Sequence, residues 1–214
     1  ARAPVVAAVS AAIARWCRTR FRRVPFARLL CAIASVPYNL ALWTVSQNHG
    51  VRGPLHLDYE VYAWDLSVRT SHLDQNHGFF NGTALFMSAE GLEDRPHAVE
   101  LIPPSDPLCQ DWRVATTLPR KSGGNWEFGH FEAADYDELI DHPVEMGTFT
   151  VAQFEAKGIP HELILTGIHD TDIERLTADL AVICETELDF FGGPIPMERY
   201  VFLLMIVGNG YGGL

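Results

Sequence analysis

From Trp43 onward the apolar residues fall in short runs of strand length, each closed by a turn signal, and that rhythm restricts the chain to a β-rich fold. Leu55-His56-Leu57-Asp58-Tyr59-Glu60-Val61-Tyr62-Ala63-Trp64 opens with alternating apolar and polar residues, the period of a half-buried strand. Residues 83–88, 97–102, 112–118, 149–155 and 162–166 are further strand candidates. Pro103-Pro104, Ser122-Gly123-Gly124 and Lys157-Gly158 punctuate them as turns. Short strands separated by turns favour an antiparallel sandwich or a saddle-shaped sheet. One helix is well marked. Thr171-Asp172-Ile173-Glu174 has capping-box spacing, and Ile173, Leu176, Leu180, Ile183 and Cys184 recur on one helical face before Gly192-Gly193-Pro194 stops it. Residues 200–207 are then a continuous apolar run of buried-strand type.

Charge divides the chain more sharply than hydropathy does. Residues 1–50 hold seven Arg and no acid, whereas residues 51–214 hold 9 Lys+Arg against 27 acids, a net of −18. The acidic part repels phosphate, which argues against nucleic acid as a partner. No apolar run reaches the roughly 18–20 residues that span a bilayer, so no membrane partner is expected. Cys109 and Cys184 lie far apart without Cys-x-x-Cys spacing, which is neither a disulfide framework nor a zinc ribbon and suits a reducing compartment. The basic stretch, residues 1–42, is rich in Ala, Arg, Val and Pro. Four readings stay open for it: a transit-type leader, a secretory signal with its basic and apolar parts in the wrong order, an out-of-frame or disordered segment, or an ordinary basic surface segment.

A zinc peptidase needs two His one helical turn apart with a Glu between them. His161-Glu162-Leu163-Ile164-Leu165 is the near match, but its fifth position is Leu and its surroundings read as a strand. His72 and His77 flank Asp74 in a stretch read as a polar loop, where histidines are solvated, and His142 stands beside Asp141 and Glu145. Neither group is assigned a metal. Asn81-Gly82-Thr83 fits the glycosylation sequon, a three-residue pattern of little specificity. Asp135-Tyr136-Asp137-Glu138-Leu139-Ile140-Asp141-His142-Pro143-Val144-Glu145 is the most acidic segment. By itself it reads as a solvated loop; the alternative is a cluster that holds a cationic group such as a peptide amino terminus. The glycines at 208–213 follow a buried strand and would let a backbone approach a ligand closely, or form a flexible tail.

Four blocks together resemble one family. They are Tyr59-Glu60-Val61-Tyr62-Ala63-Trp64-Asp65-Leu66-Ser67-Val68-Arg69, Gly78-Phe79-Phe80-Asn81-Gly82-Thr83, residues 136–147, and Gly208-Asn209-Gly210-Tyr211-Gly212-Gly213-Leu214. The chain resembles the glycyl aminopeptidase family of zinc metallopeptidases, metallopeptidase family 61, whose full-length members end in a PDZ domain. The resemblance implies an amino-terminal β domain at residues 43–168. After it, residues 169–214 would be the first helix and strand of a thermolysin-like catalytic domain. It also implies zinc in the full-length enzyme, with a motif Glu as general base. In the family the Gly-Tyr-Gly-Gly-Leu segment continues into the His-Glu-x-x-His helix and a later Glu ligand, and these residues hold neither.

The expectation is therefore an incomplete zinc aminopeptidase, inactive alone, with no metal bound to it and with its catalytic and PDZ domains missing in cis. Gly212 and Gly213 are carried over as substrate contacts from the resemblance, and charge complementarity adds Asp141 and Glu145 as walls of a peptide cleft. The competing class is a stand-alone β-sandwich module that binds peptide or carbohydrate. The strand at 200–207 is expected to lack sheet neighbours, and the compartment is expected to be the cytoplasm.

Overall fold

The computed structural model describes four early strands and then residues 55–208 without a break, with side chains from residue 59 onward. The early strands are β1 (Val5–Ala11), β2 (Trp16–Val24), β3 (Arg28–Ala32) and β4 (Leu40–Thr44). There follow β5 (Leu55–Tyr62), β6 (Ser71–Leu73), β7 (His77–Phe80), the short helix α1 (Gly82–Leu85), β8 (Ser88–Ala89) and β9 (His97–Ile102). The strands β10 (Arg113–Ala115) and β11 (Gly129–Ala133), the helix α2 (Tyr136–Ile140) and the strand β12 (Val144–Gly147) come next. After Gly147 a second compact unit begins, built from β13 (Phe149–Ala156), β14 (Ile159–Thr166), the helix α3 (Ile173–Phe191) and β15 (Tyr200–Met205).

The first unit holds three sheets, ordered β11-β9-β1-β2-β5, β10-β12-β7-β6 and β4-β3-β8. All pairs are antiparallel except β1 with β9, which runs parallel from Val5↔His97 to Ser10↔Ile102. Strand β9 shows why its sequence forms a half-buried strand: His97, Val99 and Leu101 are buried in alternation with less buried neighbours. Val99 and Leu101 join Phe80, Leu85, Phe86, Trp112, Phe131, Leu139 and Met146 in one apolar cluster. Burying each large apolar side chain contributes about 1.5–3 kcal/mol, so this cluster is the main source of cohesion in the unit. Phe80 meets Phe86 edge to face at 5.7 Å between ring centroids.

The charge break along the chain has a counterpart in the sheet register. Strand β2 pairs with β5 so that Arg18 stands opposite Glu60 and Arg20 opposite Asp58. Opposite charges at facing positions are favoured over like charges, so an all-basic segment suits an acidic partner strand. The segment at 1–42, expected to be atypical, contributes β1 to the middle of the five-stranded sheet.

Local chemistry overrides two other sequence expectations. Residues 83–88, read as a strand, instead begin with α1, because the Asn81 side chain accepts from the Thr83 backbone N–H at 3.0 Å and caps a helical turn. The acidic segment read as a solvated loop contains α2. Its cap is Asp135, whose carboxylate accepts from the Glu138 N–H at 2.8 Å, while the Glu138 carboxylate reaches back to the Ala134 N–H. The compact units divide after Gly147, and β13, β14 and β15 form one three-stranded sheet, whereas the sequence pattern puts a domain boundary near residue 169.

In the second unit β13 and β14 form a hairpin over Lys157-Gly158, both with positive φ (52° and 77°), the geometry of a two-residue turn matched to strand twist. Strand β15 lies parallel to β14, with α3 as the crossover, so it does have a sheet neighbour. Helix α3 is capped by Asp172, one residue after the expected Thr171, through the Arg175 N–H at 3.1 Å. Its Ile173, Leu176 and Leu180 pack on Ala152, Leu163 and Leu165 with Phe202 and Ile206. The packed residues come from the first half of the helix; farther along, Ile183, Phe190 and Phe191 are exposed. Gly192 closes it at φ +62°.

Two outcomes test this packing. A Cβ at Gly82 would stand 2.6 Å from Ile140 Cα, where backbone must move, so Gly82→Ala should lower stability by about 1–3 kcal/mol in urea unfolding. Burial pushes the His97 pKa below 6.5, although hydrogen bonds to the backbone of Glu93 and Leu92 oppose this. The unfolded chain therefore binds a proton that the folded chain excludes. Stability from this group should be fully present above pH 6.5 and fall as the pH drops below it, with a smaller fall in His97→Gln.

Candidate functional site

The most concentrated chemistry in the first unit sits on the β6–β7 hairpin. Its three-residue turn begins at Asp74, whose Oδ1 accepts the backbone N–H of Asn76 at 2.7 Å and of His77 at 3.0 Å. The Asp74 N–H donates to the His77 carbonyl at 3.0 Å, so the carboxylate and the turn hold each other in place. Gly147, opposite His77 in the β7–β12 pairing, has φ +148°, and a Cβ there would lie 3.0 Å from the Asn76 carbonyl. Glycine lets β12 pass this close to the turn.

The hairpin stacks the His72 and His77 rings with centroids 4.9 Å apart, and Trp64 lies beyond His72 at 5.2 Å. His72 Nε2 is 3.5 Å from Asp74 Oδ2, and His77 Nδ1 is 3.1 Å from Oε1 of Glu145 on β12. One donor atom from each of His72, Asp74 and His77 lies within 4.8 Å of the other two. His77 is 1% exposed and Glu145 4%. His72 Nδ1 and His77 Nε2 are buried with no hydrogen-bond partner among the described residues. Each buried polar atom left in that state costs about 1–3 kcal/mol, so the arrangement needs an explanation.

Electrostatics prepare His72 and Asp74 to donate lone pairs at neutral pH. Burial first, then the neighbouring His77, lowers the His72 pKa against the opposing pull of Asp74. Burial alone would raise the Asp74 pKa, but the N–H groups of Asn76 and His77 outweigh it and hold the carboxyl below its usual value. The result is a neutral imidazole beside an ionised carboxylate.

Sequence reasoning missed this cluster by taking His72 and His77 for solvated loop residues; both are buried on short paired strands. The available signal was Asp74-Gln75-Asn76, a turn tight enough to bring the flanking histidines together. Of the expected substrate residues, Asp141 and Glu145 fall among the described residues, and their surroundings differ. Asp141 borders an open depression with Arg69, Thr83, Asp137 and His142, whereas Glu145 is buried against His77. Gly212 and Gly213 lie outside the described residues. His142 bonds to Thr117 Oγ1 through Nδ1 at 2.6 Å. Asn81, the sequon residue, is buried, with its side chain bonded to Thr83 and to the Val68 carbonyl.

The near match to a zinc helix also fails on structure. His161-Glu162-Leu163-Ile164-Leu165 lies within β14, His161 Nδ1 bonds to the Ile159 carbonyl at 2.8 Å, and Glu162 stands near Arg199. Positions one and five of a strand are roughly 13 Å apart, too far to share one metal. These residues do not fit a peptidase zinc.

Comparison with known proteins gives this architecture its relatives. No curated protein matches the sequence. An aminopeptidase N family protein from Idiomarina loihiensis is 34% identical, with a TM-score of 0.80 over 97% of this chain. This chain spans 40% of the length of that protein. A two-domain M1 zinc metallopeptidase mutant bound to L-arginine shares the fold at 12% identity and TM-score 0.50, over 92% of this chain and 54% of its own. The family profile described as the Peptidase M61 N-terminal domain matches residues 33–148. With more than half its length matched, the chain belongs to the M61 peptidase family and carries that family's amino-terminal domain at residues 33–148.

Proposed function

We propose that the chain is the amino-terminal part of a zinc-dependent, glycyl aminopeptidase-like enzyme that removes residues from the free amino end of peptides. The match of residues 33–148 to the M61 amino-terminal domain carries this reading. Similarity to the Idiomarina loihiensis protein extends support through the second unit, since that match covers 97% of the chain. On this reading the first unit is a β-sandwich scaffold, and β14–α3–β15 opens a thermolysin-like catalytic domain. Zinc, its ligands and a PDZ domain belong to the whole enzyme, and the cytoplasm is its compartment. Among the described residues no helix is long and apolar enough to cross a membrane. No observation favours the stand-alone binding module.

The 214 residues contain no His-Glu-x-x-His, so they should not hydrolyse peptides by themselves. Purified chain with added Zn²⁺ should release no amino-terminal glycine from a glycyl peptide above the blank; steady turnover would overturn the claim of inactivity. A longer protein containing this sequence should release it, and should stop when the metal is chelated. If that longer protein cleaved only internal bonds, the aminopeptidase assignment would fall.

Gly212, Gly213 and Asp141 remain the proposed substrate contacts, without Glu145. Asp141 is exposed, so its attraction for a substrate's cationic amino terminus is screened. In the longer enzyme Asp141→Asn should raise KM about 2- to 5-fold with kcat unchanged. An unchanged KM would remove Asp141 from the site.

A further inference from the structure

We propose that His72, Asp74 and His77 form a binding site for one divalent cation of the zinc class, with Glu145 orienting the His77 ring from the neighbouring strand. The inference concerns the first unit alone and stands apart from the peptidase zinc of the proposed enzyme. It runs against the sequence expectation that no metal binds this chain.

The donor set comes first. Two imidazole nitrogens and one carboxylate oxygen suit zinc and its borderline neighbours better than calcium or magnesium, which prefer all-oxygen shells. Tetrahedral ligands about 2.1 Å from a metal stand about 3.4 Å from one another. The separation of His72 Nε2 and Asp74 Oδ2 is already 3.5 Å. The widest gap, at most 4.8 Å, has to close by about 1.4 Å to reach that spacing, and the rings, 19° from parallel, have to turn until both lone pairs meet one point.

The second argument is orientation. Ligating histidines characteristically give their other ring nitrogen to a carboxylate. His77 has that arrangement: Nδ1 faces the buried Glu145 carboxylate, and Nε2 is buried with no partner among the described residues. His97 Nε2 is buried without a partner among the described residues too, so the orphaned nitrogen of His77 points to a cation only together with the adjacent His72 and Asp74 donors. Asp74 is equally prepared, because its Oδ1 is held by two backbone N–H groups and its Oδ2 turns towards His72, with the Asn76 amide near it at 3.4 Å. The proposal accounts for His77 Nε2; it does not account for the second orphan, His72 Nδ1. Asp74 is partly exposed, which gives the cation a route in and leaves a position for water. Bound there, the cation would clip both strands of the hairpin to its turn.

The test uses the purified 214-residue chain, stripped with chelator and titrated with Co²⁺, then with Zn²⁺. The expected result is one equivalent of Co²⁺ with visible d–d absorption, bleached by one equivalent of Zn²⁺, and a zinc-dependent rise in the unfolding midpoint. Asp74→Asn is the decisive variant, because the Asn oxygen can still accept the two turn hydrogen bonds while the anionic ligand is gone. It should fold, as judged by circular dichroism, and lose the cobalt spectrum. His77→Gln should do the same, and Glu145→Gln should weaken binding about 10- to 100-fold. His161→Gln, outside the cluster, should leave binding unchanged. Absence of stoichiometric binding to the parent chain would overturn the proposal, as would undiminished binding by a folded Asp74→Asn.

Discussion

The first unit depends on one pairing: β1 held between β9 and β2. Take β1 away and the five-stranded sheet separates into the antiparallel pairs β9–β11 and β2–β5, each with a raw edge. The apolar cluster around Phe86 and Phe131 includes Val99 and Leu101 of β9, so the edge and the core would suffer together. The basic composition of the early segment reads differently in this light. Two of its β2 arginines, Arg18 and Arg20, face acidic register positions on β5, and the two halves of the charge distribution meet across a strand pair.

The legible parts of the fold are those where side-chain pattern and backbone state coincide. Strand β9 alternates buried and less buried residues, and the β13–β14 hairpin turns at Lys157-Gly158, both visible as letters. The helix at 173–191 was legible in its period, but its cap was displaced by one residue because Asp172 rather than Thr171 supplies the accepting oxygen. Short elements were illegible for a physical reason. In α1 and α2 a single side-chain cap decides between loop and helix, and four or five residues are too few for a period to show. The early strands were hidden by composition, since a run of Ala, Val and Arg resembles a leader as much as a strand.

The hairpin cluster was obscured differently. His72 and His77 sit in a stretch whose letters are mostly polar, and polarity usually signals solvent. Here the opposite holds, because His72 and His77 are buried and the Asp74 turn satisfies the backbone locally. A low-dielectric environment strengthens each hydrogen bond in such a group and magnifies the penalty for every unpaired atom. Family membership was legible because its signature residues are contiguous, including the Phe-Phe-Asn-Gly-Thr run that caps α1. The substrate assignment was harder, since Asp141 and Glu145 are near in sequence and differ completely in burial.

The parallel pairing of β1 with β9 also sets a timetable. On the ribosome β1 is made before β9 and can fold back on β2, but its other edge waits until β9 has been made, about 90 residues later; at 5–20 residues per second that is a delay of about 5–20 s. In the first part of that interval, until β5 is made, the arginine-rich hairpin has only its own two strands, and its net positive charge discourages other chains from adding to the open edge. The same acid-free composition that makes the segment look foreign to the fold would then act as a temporary guard for its central strand.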